Sequence, residues 1–199
     1  MMAMAQATHH RFTFEDYALI DADSHLKHEF VDGQVWAMSG GTPEHAALSV
    51  AVSTLLSAAL LERSCRVFSA DLRIRVKATG LGTYPDVSVV SGHLDLDADD
   101  PRQHTVVNPR VLVEVLSPST EAYDRGDKLA HYKQIPSLDE VVFVAHDRRE
   151  IEVVRREPDG SWSRHVAQDG ELAHLTSIGC DLPVSAVYRD PLAARPPAE

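Results

Sequence analysis

The sequence predicts an α/β domain of the α+β kind, in which a mixed β-sheet is flanked by helices. Three observations lead there. The apolar pattern switches period along the chain, in the order helix, hairpin, long helix, three strands, helix and meander. At 199 residues and 44% hydrophobic, the chain can bury a sizeable core. No break in composition divides it, so one domain is expected over 12–190, between a flexible segment at 1–11 and a flexible tail at 191–199 that ends in "RPPAE".

Each element has a local reason. "FTFEDYALI" opens on Thr13, a good N-cap, and carries early acids, so it reads as a short helix. "KHEFVDGQVWAMSG" holds two apolar stretches around Asp32-Gly33, the turn chemistry of a β-hairpin. In "GGTPEHAALSVAVSTLLSAALLER", Thr42 can cap and Pro43 stands where a missing N–H costs nothing; the helix is apolar round most of its circumference, which implies burial. "VFSADLRIRVKA" alternates, with Ile74 and Val76 on one face and Arg73, Arg75 and Lys77 on the other, and reads as one half-exposed strand. "TYPDVSVV" and "RVLVEVLSPST" read as two further strands, separated by the loop "HLDLDADDPRQH". "DRGDKLAHYKQI" reads as a helix, and "EVVFVAH", "EIEVVRR" and "SWSRHVA" as three strands joined by turns.

Composition excludes several classes. No run approaches the roughly 18 uncharged apolar residues of a membrane span, and "MMAMAQATHH" lacks the apolar core of a signal peptide, so a cytoplasmic protein with no membrane partner is expected. The two cysteines, Cys65 and Cys180, are too few for a disulfide framework and lack zinc-site spacing. A net charge of −11 is unusual for a nucleic-acid binder, which carries a basic face.

The chemistry lies in two strand acids. Glu114 sits at the centre of an apolar run, where side-chain alternation groups it with Leu112 and Leu116, while Asp86 shares a face with Ser88 and Val90. A buried, unpaired carboxylate costs several kcal/mol, so each acid needs a cation, a set of hydrogen bonds or a proton. Magnesium suits two such acids, because a hard cation takes oxygen ligands from one or two carboxylates. The plainer alternative is that Asp86 starts a strand after Pro85 and Glu114 pairs with an arginine. Asp124, Lys128 and Tyr132, spaced four apart, share a helix face, so Lys128 could serve the acids or simply pair with Asp124.

"YPDVSVV", "LVEVLSPST" and "DRGDKLAHY", in this order, together with "HEFVDGQVWAMSGGTPEH", resemble the Uma-two family of restriction-endonuclease-like proteins, within the PD-(D/E)xK nuclease superfamily. The likeness runs from about Phe12 to about Tyr188. It implies a restriction-endonuclease-like core and a DNA endonuclease in which Asp86 and Glu114 bind Mg2+ or Mn2+. Leu116 stands where the superfamily has its lysine, and the resemblance makes Lys128, on the next helix, the replacement. It also implies Glu29 as a catalytic residue and further metal ligand, with His45, Ser117 and Tyr132 supporting the site or touching substrate, and it suggests a homodimer.

Other motifs fail. "HEFVD" has Asp32 where a zinc peptidase needs histidine, and "DLDADD" lacks the glycine and final glutamate of a calcium loop and reads as a solvated acidic loop. No GxSxG elbow or GxxxxGK[ST] loop occurs. Arg73, Arg75 and Lys77, and Arg148, Arg149, Arg155 and Arg156, could form local basic surfaces or ordinary solvated positions; DNA binding is expected to be weak and salt-dependent. The alternative function is a catalytically silent metal-binding or interaction module on the nuclease fold.

Overall fold

The computed structural model describes residues 11–38 and 40–190. The segments expected to be flexible, 1–11 and 191–199, lie outside the described residues apart from Arg11.

Helix α1 (Phe14–Asp23) starts in a capping box: the Thr13 hydroxyl accepts from the Asp16 N–H and the Asp16 carboxylate accepts from the Thr13 N–H. Strands β1 (His28–Val31) and β2 (Gln34–Ala37) form the expected hairpin. Asp32 and Gly33 both take positive φ, 50° and 79°, the backbone that lets a two-residue turn follow the strand twist. Helix α2 (Pro43–Ala59) is capped by Thr42 and begins on Pro43. Its burial is narrower than its composition implies. Only a stripe of Leu48, Val52 and Leu56 is buried within it, and Val50 is 66% exposed, because one face packs on the sheet and alanines and serines make up most of the rest.

The run expected as one strand from Val67 to Ala78 is two. Strand β3 (Cys65–Ser69) ends at a turn through Ala70 and Asp71, and β4 (Arg73–Arg75) joins another sheet. The remaining strands are β5 (Gly82–Thr83), β6 (Val87–Ser91), β7 (Thr105–Val106), β8 (Val111–Val115), β9 (Glu140–Val144), β10 (Glu150–Arg156), β11 (Trp162–Gln168), β12 (Leu172–Leu175) and β13 (Cys180–Pro183). Between β8 and β9 the chain forms a short helix α3 (Glu121–Tyr123), a π-turn (Asp124–Lys128) and α4 (Leu129–Tyr132); α5 (Val184–Val187) follows β13. The β12–β13 hairpin and α5 are additions to the sequence reading.

The main sheet has the order β11-β10-β9-β8-β6-β3, with β8 and β9 parallel and the other neighbours antiparallel. A second sheet runs β2-β1-β5-β4-β7. Strand β8 is central and covered on both faces. Val111, Val113 and Val115 pack with Val87, Val89 and the buried stripe of α2, while Leu112 and the following Leu116 pack with Val90, Leu129, Tyr132 and Phe143. Burial of each such Val or Leu side chain contributes roughly 1.5–3 kcal/mol, enough in sum to hold Glu114 in a place that opposes its charge.

Both groups of basic residues are taken up in ion pairs and hydrogen bonds within the chain. Arg73 is 2% exposed and pairs with Asp21 at 2.9 Å and Asp100 at 3.5 Å. Arg75 pairs with Asp97 at 2.6 Å and Asp99 at 2.7 Å, and Lys77 reaches Asp97 at 3.2 Å. The acidic loop is therefore not simply solvated: it folds back on the basic strand face, burying Asp97 and Asp100. Around the β9–β10 hairpin, Arg155 binds Glu140, Arg156 donates to the carbonyls of Leu138, Lys133 and Ile135, Arg148 pairs with Asp147 and Glu150, and Arg149 with Asp169.

Candidate active site

The site lies where β1, the N-terminus of α2, the start of β6, the end of β8 and the π-turn meet around a cleft of about 320 Å³. Glu29, His45, Asp86, Glu114, Ser117, Asp124 and Lys128 all line it. Asp86 precedes β6, and its Oδ2 accepts from the Val115 N–H at 2.7 Å, which ties the carboxylate to the end of β8. His45 Nε2 stands 3.2 Å from the same oxygen. Its approach depends on Gly41, where a Cβ would lie 2.6 Å from the His45 ring.

Glu114 is fixed from α4 and the π-turn. The Tyr132 hydroxyl donates to its Oε1 at 2.5 Å, and Lys128 Nζ lies 3.0 Å from that oxygen. Lys128 also reaches Glu29 and Asp124, each at 3.4 Å. Glu29 in turn accepts a hydrogen bond from the Thr83 hydroxyl, so β5 holds it toward the lysine. The helix expected over "DRGDKLAHYKQI" thus contains a π-turn, a feature common at functional sites because it redirects side chains locally. Ser117 hydrogen-bonds Ser119 at 3.1 Å and Thr120 at 2.9 Å, which braces the loop between β8 and α3.

Burial and crowding of carboxylates set the electrostatics. The Glu114 carboxyl is pushed up to about 8, first by burial and then by Asp86 and Asp124, against the pull of Lys128 and Tyr132. Burial alone would lower Lys128; the carboxylates of Glu114, Glu29 and Asp124 outweigh it and hold the ammonium protonated. His45 is raised, chiefly by its hydrogen bond to Asp86, with burial opposing. The Tyr132 hydroxyl is held neutral by burial and the adjacent Glu114.

All seven residues singled out from the sequence, Glu29, His45, Asp86, Glu114, Ser117, Lys128 and Tyr132, meet in this neighbourhood. Thr83 and Tyr123 were not singled out. Thr83 stands beside Tyr84-Pro85-Asp86 and hydrogen-bonds Glu29, and Tyr123 lines the same cleft from α3. The signal for both was their place beside residues that carried the pattern.

The sequence model of the Uma-two family, described as "Putative restriction endonuclease", matches residues 14–185. The chain belongs to this family. Among its relatives, the uncharacterized protein slr1290 of Synechocystis sp. is 37% identical over 179 residues, covering 88% of this chain and 90% of that one. A second uncharacterized Synechocystis protein, sll1609, is 28% identical over 159 residues, covering 80% and 89%. In three dimensions the Uma-two chain resembles the crystal structure of a "putative nuclease" from Anabaena variabilis, with TM-score 0.71 and 16% identity over 89% of this chain and 97% of that one. The fold is restriction-endonuclease-like, in keeping with the description that the family model carries.

The donor set suits a hard cation. Asp86 and Glu114 present carboxylate oxygens to one cleft, the number magnesium takes from proteins while keeping several waters. Among the described residues no three histidine, cysteine, aspartate or glutamate side chains are grouped so as to hold a metal ion by themselves. No helix of the described residues is long and apolar enough to cross a membrane.

Proposed function

We propose that this protein is a divalent-metal-dependent endonuclease that hydrolyses DNA phosphodiester bonds. The observation that carries the reading is the 3.0 Å approach of Lys128 to Glu114, which brings a cation to the strand acids although Leu116 occupies the superfamily's lysine position. Asp86 and Glu114 would hold Mg2+ or Mn2+, with Glu29 as a further carboxylate facing the same cleft. Bound there, the metal would polarise a phosphodiester oxygen and acidify a water.

The chain's own groups then divide the work. The Val115 N–H and His45 orient Asp86, and Tyr132 orients Glu114. Lys128, permanently charged, stabilises negative charge developing on the phosphate. Glu29 and Asp124 hold that ammonium in place. His45, which lines the same cleft, is available to a phosphate oxygen or to a water.

The test is cleavage of supercoiled and single-stranded DNA at low salt with magnesium or manganese, beside Glu114→Ala. Cleavage that requires both metal and Glu114 is expected. A second reading has its own support, since the arginines that could have formed basic surfaces are paired with the chain's own carboxylates and carbonyls: a silent metal-binding or interaction module. Equal inertness of parent and variant, with magnesium still raising the parent's melting temperature, would favour it.

A further inference from the structure

We propose that Trp36 is a stacking platform for an unpaired nucleobase, so that the cleft takes single-stranded or locally unpaired DNA in preference to an intact duplex. The inference rests on the nuclease reading above and names the substrate form.

The hairpin register supplies the first observation. Trp36 is the direct cross-strand partner of Glu29, and such partners project from the same face with Cβ atoms about 4.5–5.5 Å apart. The alternate residues, Phe30 and Val35, pack with Phe14 and Tyr17 beneath α1, so the hairpin is anchored by one face and presents Glu29 and Trp36 on the other. Trp36 lines the same cleft as Asp86, Glu114 and Lys128.

Exposure is the second observation. Trp36 is 47% exposed, whereas the protein's other tryptophan, Trp162, is covered by the guanidinium of Arg156 at 4.8 Å and the ammonium of Lys133 at 5.6 Å. An indole held open beside four carboxylates serves no core. It offers a flat π-face, which any base can stack on regardless of sequence.

The third concerns size and charge. A cleft of about 320 Å³ falls at the small-ligand end of the range for protein pockets, suited to a nucleotide rather than to a double helix. Of the residues that line it, His45 and Lys128 are the two that can carry positive charge, and both already face carboxylates. A duplex binder depends on cations along the phosphate backbone. Here the metal and Lys128 would serve one phosphate, and stacking must supply the rest of the affinity.

The test uses the full chain with Trp162→Phe, which leaves Trp36 as the sole tryptophan of the two. Oligothymidine and a matched duplex are titrated in calcium, following tryptophan fluorescence and, separately, anisotropy of labelled DNA; cleavage of both forms is then measured in magnesium. Quenching by oligothymidine, at least tenfold weaker binding for Trp36→Ala and partial recovery for Trp36→Phe are expected, with melting temperatures unchanged. Oligothymidine binding with unaltered fluorescence, or a Trp36→Ala variant that binds as the parent does, would overturn the proposal. Duplex cleavage as fast as single-strand cleavage would also sink it while leaving the nuclease reading intact. Absence of both binding and cleavage would reject the nuclease reading and this inference with it.

Discussion

Lys128 Nζ and Glu114 Oε1 are 3.0 Å apart, an ion pair formed between the π-turn and the central strand of the main sheet. Two positions beyond Glu114, Leu116 is fully buried in the cluster that includes Leu129 and Tyr132. The lysine reaches the acid from the helical side, and the strand position is left free to be apolar. Returning the lysine to the strand should therefore fail. Leu116→Lys would bury an ammonium among apolar side chains, and we expect a loss of about 3 kcal/mol or more in urea unfolding, with no rescue of Lys128→Leu in a cleavage assay. Parent-like stability would show that this site admits a charge.

Gly41 clears the space His45 occupies, since an added Cβ would lie 2.6 Å from Nδ1 and 2.9 Å from Cγ. Gly41→Ala should push the imidazole away from Asp86. Its cleavage rate should fall to that of His45→Ala, and the double variant should be no slower than either, because both changes remove one interaction. Additive losses would mean that Gly41 acts through something other than His45.

The acidic loop should set part of the acid sensitivity of the fold. Burial raises the Asp97 carboxyl, but hydrogen bonds from Arg75, the Asp99 N–H and Lys77 outweigh it and leave the group below its ordinary 3.8. A depressed folded value means that the added stability is present above the unfolded value and is lost as pH falls through the folded one. Asp97→Asn should then cost about 2 kcal/mol at pH 7, with Arg75 keeping Asp99 as a partner, and the gap to the parent should narrow at about pH 3. Urea titrations at the two pH values check this; a gap that does not narrow would contradict the pairing.

The two acids Asp86 and Glu114 stood out through local signals, whereas Glu29, His45 and Ser117 entered through the family resemblance. An acid inside an apolar strand, a glycine after an aspartate in a turn and a threonine before Pro43 each carry their meaning within a few residues. What escaped depends on distant parts of the chain. The alternation of Arg73, Arg75 and Lys77 marks a face but not what covers it, and the cover is a loop 20 or more residues away in sequence. The turn at Asp71 that splits the run is a tertiary matter too, since each half pairs with a different sheet. Spacing by four brought Asp124, Lys128 and Tyr132 to one helix face, yet the π-turn that aims them has no periodic signature. The β12–β13 strands span four residues each, too short to stand out from their flanks.

The most direct measurement is the rate of magnesium-dependent cleavage of single-stranded DNA by Lys128→Met beside the parent, with circular dichroism confirming that both are folded. If Lys128 supplies the charge missing at Leu116, the rate should fall by about 100-fold or more, as when a transition-state donor is removed elsewhere. A folded Lys128→Met variant that cleaves as fast as the parent would contradict the account.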